Sequence, residues 1–122
     1  MRIRWRPAPG VVAVVVSTSG VPIRLTEERW FHIIEYHAEL EPFQSEVLLT
    51  IAEPDALYVS PPGLKPNYAA VRMFSKLRER GLAKSLVVHY REVSRTDGFI
   101  LTALVISDER LVRRFKLWQR LK

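Results

Sequence analysis

The chain has no cysteine among its 122 residues. Disulfides, thiolate nucleophiles and cysteine-ligated metals are therefore excluded, and the cytoplasm is the expected location. Glycine is scarce at five residues, with no glycine-rich loop to cradle a nucleotide phosphate. The three histidines are scattered and lack H-x-x-x-H spacing, so neither a metal nor another cofactor is expected. Long apolar runs are missing too. The Val-rich run Val11–Val16 is far short of a membrane span. Pro7 and Pro9 separate it from Arg2, Arg4 and Arg6, and no small-residue cleavage pattern follows, so a buried strand fits better than a signal peptide. No membrane partner is expected.

Basic charge is what the chain has in excess. Nineteen Lys and Arg against 13 Asp and Glu leave a net +6, which favours polyanionic partners, nucleic acid first. A hydrophobic content of 48% suits one globular domain spanning residues 1–122.

The pattern along the chain starts with a basic, proline-containing lead-in over residues 1–22 that includes a hairpin. Val11–Val16 is its first strand, Ser17–Gly20 the turn, and Val21–Leu25 the return strand. Thr26 reads as an N-cap followed by Glu27 and Glu28, which predicts a helix from Glu27 to about Leu40, before Pro42. On that helix Trp30, Ile33, Ile34 and His37 share the apolar face, while Glu28, His32, Glu35 and Glu39 lie opposite. A second helix is predicted over Phe43–Ala52, then a short strand over Ala56–Val59 and a proline-rich loop over residues 60–67. Three β-suited runs follow, at Tyr68–Phe74, Lys84–Val93 and Phe99–Ile106. Ser75–Gly81 reads as a frayed helical turn. Arg95-Thr-Asp-Gly98 reads as a hairpin turn, with Asp97-Gly98 supplying the positive φ such turns need. The basic tail over residues 107–122 has helical spacing at Leu111, Val112, Phe115, Trp118 and Leu121. The expected fold is α+β. Two N-terminal helices pack on a curved, mainly antiparallel sheet of four to five strands, with an N-terminal β-hairpin and a C-terminal helix.

Residues 24–40, RLTEERWFHIIEYHAEL, resemble the "R-h-T-x-x-R-x-x-H-I-x-x-x-H-P-E" opening of phage-borne barnase/EndoU/colicin/RelE-like (BECR-fold) nuclease domains. Five later pieces resemble that family in order: residues 50–55 (TIAEPD), 68–72 (YAAVR), 86–91 (LVVHYR), 98–103 (GFILTA) and 116–118 (KLW). The resemblance covers about residues 23–118. Ala38 stands where the family usually has proline, and Leu104 where it commonly has an aromatic. The resemblance implies a metal-independent, toxin-like ribonuclease that cuts RNA by 2′-hydroxyl attack on the adjacent phosphate. A protein inhibitor (antitoxin) is then a further candidate partner besides RNA.

Such chemistry needs a base, an acid and groups that hold the phosphate. Histidine suits proton transfer because its pKa lies near the working pH. His37 is the first candidate, because the apolar face should aim it toward Thr102 on the last strand. Its alternative is a core histidine bonded to a backbone carbonyl. His32 is the second, raised by its place in the family opening; its spacing to Glu28 also fits a plain surface pair. The two diverge by about 140° on one helix, so at most one acts directly. The Thr102 hydroxyl is the third candidate for the catalytic group, and Arg72, Arg91, His89 and Tyr90 are the candidate substrate-binding residues, provided the strand faces carrying Arg72, Arg91 and Thr102 coincide. Otherwise the arginines are solvent-facing charges and Thr102 a β-favouring residue. Arg110, Arg113, Arg114, Lys116, Arg120 and Lys122 could track a backbone or merely solvate the tail. The competing function is an inactive RNA- or protein-binding module on the same fold.

Overall fold

The computed structural model describes residues 3–63, 66–79 and 82–122, arranged around one sheet of eight strands. The strands are β1 (Ile3–Trp5), β2 (Val11–Val16), β3 (Pro22–Thr26), β4 (Ala56–Val59), β5 (Tyr68–Glu79), β6 (Leu82–Ser94), β7 (Asp97–Ile106) and β8 (Gln119–Arg120). Their spatial order is β1-β2-β3-β7-β6-β5-β4-β8. Neighbours are antiparallel except β3 and β7, which pair in parallel through Ile23↔Gly98 and Arg24↔Phe99.

The hairpin of β2 and β3 is therefore built into the sheet rather than appended to it. Expecting four to five strands undercounts for two reasons. The parallel β3–β7 pairing makes the hairpin continuous with the meander, and the short strands β1 and β8 carry no periodic signal of their own. A bulge between Val11 and Ala13 lets consecutive residues Val12 and Ala13 both be buried. The predicted turn at Ser75–Gly81 is also corrected, because β5 runs on to Glu79 through an irregularity between Phe74 and Arg78. Arg80 and Gly81 lie outside the described residues.

Helix α1 (Glu27–Tyr36) starts where the Thr26 hydroxyl accepts the Arg29 N–H at 3.1 Å. It stops earlier than Leu40. His37 caps it with φ −135° and ψ 65°, and residues Ala38–Phe43 continue as a 3-10 helix containing Pro42. Helix α2 (Gln44–Ala52) follows. Trp30, Ile33, Leu40, Val47, Leu48 and Ile51 from these segments bury against Ile23, Leu25, Leu86, Val88, Tyr90 and Ile100 of the sheet. Each fully buried aliphatic side chain contributes about 1.5–3 kcal/mol of transfer free energy to that layer.

Alternation sends Val87 to the opposite face, with Ala56, Ala69, Val71 and Ile106. Phe115 covers them, just beyond helix α3 (Asp108–Arg114). The closing helix thus packs behind the sheet, not beside α1 and α2, and the domain has three layers. The tail is helical only to Arg114; Gln119–Arg120 then joins the sheet edge as β8, opposite Tyr58 and Val59.

The β6–β7 turn differs from its expected chemistry. Arg95 and Thr96 form it, and Gly98 lies in β7 without positive φ. Glycine is needed there for close approach. A Cβ would sit 2.5 Å from Ile23 Cδ1 and 2.6 Å from the Arg91 carbonyl oxygen.

Candidate nucleic-acid interface

The strand register decides which polar side chains meet. Tyr68 pairs with Tyr90 and Arg72 with Leu86, so Tyr68, Ala70 and Arg72 share the helix-covered face with Leu86, Val88 and Tyr90. His89 and Arg91 alternate to the α3 face. On β7 a register shift separates His89↔Thr102 from Tyr90↔Ile100, leaving Leu101 as the extra residue. Ile100 is consequently in the helix-side core, whereas Leu104, and Thr102 by alternation, belong to the α3 side.

The faces of Arg72, Arg91 and Thr102 do not coincide. Arg72 donates to the Glu53 carbonyl oxygen at 2.6 Å, stands 3.6 Å from its carboxylate, and lies over the Phe74 ring. That places it at the α2 edge, one sheet thickness from the others. Arg91 and the half-buried Thr102 are on the α3 side; the Arg91 Nε is buried without a partner.

Tyr90 is 1% exposed and stacks on Tyr68 at 5.5 Å between ring centres. Burial, then Glu92 and Tyr68, raise its hydroxyl pKa. Burial followed by Glu92 raises that of Tyr68. Glu92 also accepts hydrogen bonds from Ser17 and Ser19, tying β6 to the first hairpin. Tyr90 therefore lines the interior of a 420 Å³ hollow with Tyr68, Glu92 and Leu121 rather than presenting itself to a polymer.

His89 is likewise buried, packed between Phe115 and Trp118, with ring centres 6.1 and 5.7 Å away. Its Nε2 lies 3.1 Å from Arg114 Nη2. A guanidinium only donates, so Nε2 is the acceptor and the ring proton is on Nδ1. Burial first, and then the Arg114 charge, hold the imidazole at about 4, well below the ordinary histidine range. At neutral pH it is an uncharged acceptor.

The two helix histidines separate as their 140° divergence requires. His37 is at the end of α1, half-exposed and 3.7 Å from Glu39 Oε1, whereas Thr102 belongs to the α3 side of the sheet. His32 is exposed and meets the Tyr36 ring edge-on at 5.0 Å. It lines an open cleft of about 630 Å³ between α1 and the start of β7. The cleft exists because β3 pairs with β7 only at residues 23–24 before leading into α1. Glu28, His32 and Glu35, spaced i, i+4, i+7, form its helix wall with Arg29, while Arg24 and Phe99 supply the sheet wall. Arg24 is ion-paired with Asp97 and sits 5.6 Å over the Phe99 ring.

A cationic place lies at the other end of β7. Arg110, Arg113 and Arg114 surround a hollow of about 400 Å³ over Ile106. Both places were partly visible in the sequence, as the polar face of α1 and the basic tail. What was not visible was their pairing with Phe99 and Ile106. Among the described residues, no group of three or more His, Asp or Glu side chains is placed to hold a metal, and no helix is long and apolar enough to cross a membrane.

Comparison of the chain with protein-family models, with curated proteins and with solved structures gives no match. The fold is of the α+β class with an eight-stranded mixed sheet.

Proposed function

We propose that the chain is a metal-independent ribonuclease, toxin-like in kind, whose reaction takes place in the cleft between α1 and β7. The carrying observation is that this cleft gathers His32, Glu28 and Glu35 with Arg24 and Arg29. In the reaction the ribose 2′-oxygen bonds to phosphorus and the P–5′-oxygen bond breaks. A carboxylate, Glu28 or Glu35, takes the 2′-proton, and His32 gives a proton to the departing 5′-oxygen. Arg29 meets the charge that develops on the phosphate, a role for which its forked donors are suited. The products are a 2′,3′-cyclic phosphate and a free 5′-hydroxyl. Phe31, 67% exposed on the cleft wall, offers a ring on which a base can stack. His37, the first sequence candidate, has no part in this scheme.

The second reading is a binding module without turnover. It is favoured by the charge balance of the cleft, whose two glutamates offset its two arginines, Arg24 being already paired with Asp97.

Purified protein incubated with mixed cellular RNA in EDTA tests the choice. The wild type and His37→Ala should cleave, while His32→Ala should lose on the order of 100-fold in rate, the scale of one general acid. Undiminished cleavage by His32→Ala would remove the cleft from the mechanism. Intact RNA with folded wild-type protein would leave the binding module.

A further inference from the structure

Helix α3 carries Arg110, Arg113 and Arg114 at i, i+3 and i+4, so all three stand on one side of it. Among the described residues none of them is paired with a carboxylate. The helix's acids, Asp108 and Glu109, occupy its first turn instead. Like charges at this spacing repel, and the Arg110 charge contributes, after loss of solvent, to a lowered pKa at Arg114. The fold nevertheless holds the group in place. Phe115, next in sequence, is buried and stacked on Tyr58 at 4.6 Å and 7°, with Trp118 edge-on at 5.1 Å. The buried His89 accepts one Arg114 N–H, which fixes the guanidinium, and the five-donor group has further N–H bonds to offer. A neutral acceptor does this without cancelling the charge, as a carboxylate would.

We infer that this corner is a phosphate-backbone site, in which the hollow over Ile106 receives the phosphodiester groups of a single RNA strand. Arg110, Arg113 and Arg114 are its donors, and His89 is the positioning residue that aims Arg114. The shape favours a strand over a free anion. The hollow is open, Ile106 is its apolar lining, and Arg110 and Arg114 start about one helical turn apart rather than from one point. Along β7, the eight residues from Phe99 to Ile106 span roughly 23 Å, seven steps of extended chain, so one strand can lie from this corner toward the α1 cleft. The inference rests on the RNA reading above for its ligand, but not on turnover.

The test is fluorescence anisotropy in the His32→Ala chain, so that loss of binding is read separately from loss of cleavage. The probe is a fluorescein-labelled oligouridylate of roughly eight nucleotides, titrated at several salt concentrations. Arg110→Gln/Arg113→Gln should weaken binding about tenfold and lower the logarithmic salt slope by about 1.4, since each single-strand phosphate neutralised contributes ~0.7. Arg6→Gln/Arg95→Gln removes the same charge from exposed positions elsewhere and should change affinity less than about twofold. His89→Phe should weaken binding severalfold, and His89→Gln, whose amide oxygen supplies an acceptor near the Nε2 position, should restore it. Inorganic phosphate should compete only weakly.

Three results would overturn the site: parental affinity in the folded Arg110→Gln/Arg113→Gln chain, an equal loss in the charge control, or phosphate binding at the corner with none of the oligonucleotide. His89→Gln as weak as His89→Phe would overturn the positioning role.

Discussion

His89 makes the stability of this domain depend on pH in a way that one substitution removes. The side chain is 6% exposed and its pKa falls from 6.5 to about 4 in the fold. The unfolded chain therefore binds a proton between those values that the folded chain refuses, so stability is complete above pH 6.5 and is lost as pH falls toward 4. The full shift corresponds to about 3 kcal/mol, and the portion lost between pH 7 and pH 4.5 is roughly 2 kcal/mol. The structural cause is concrete. Protonation converts the Nε2 acceptor into a donor facing the Arg114 donor, inside a layer closed by Phe115 and Trp118. Urea unfolding followed by tryptophan fluorescence at pH 7 and pH 4.5 measures it. Carboxylates titrate alike in wild type and His89→Gln, so their contribution cancels in the comparison. The wild type should lose roughly 2 kcal/mol more than His89→Gln. Parallel losses in the two proteins would refute the claim that the imidazole is buried in its neutral form.

Two further outcomes follow from the sheet. Gly98→Ala should destabilise by about 1–3 kcal/mol, because its Cβ would press on the Arg91 carbonyl, which is backbone and cannot swing aside. An unchanged urea midpoint would mean that β3 and β7 are not packed this closely. Arg72→Gln should leave oligonucleotide affinity within about twofold, because its guanidinium is held by Glu53 on the helix-covered side, away from the α1 cleft and the α3 corner. A tenfold loss in the same anisotropy assay would move the binding surface to that side.

The elements themselves were largely legible in the residues. Thr26 with Glu27 and Glu28 marks the start of α1, the valines mark β2, and the alternation of β5, β6 and β7 follows from their side chains; these are local effects that each segment carries with it. Composition likewise determined the basic balance and the lack of thiol chemistry. The polar side of α1 already held Glu28, His32 and Glu35 in one line, so that wall of the cleft was readable as well. What faces it was not.

Tertiary structure decided which strands lie side by side and in what register. Alternation sorts residues within one strand, but a shift of one position between strands exchanges the two faces. The extra residue Leu101 makes such an exchange inside β7, sending Ile100 to one core and Thr102 to the other side. The parallel β3–β7 contact depends on residues about 75 positions apart fitting at Gly98, a condition of close packing that carries no period. The same holds for α3. Its basic and apolar spacing is local, while its place behind the sheet, where Phe115 covers Ala69, Val71 and Val87 and His89 meets Arg114, comes from which face α1 and α2 had left uncovered.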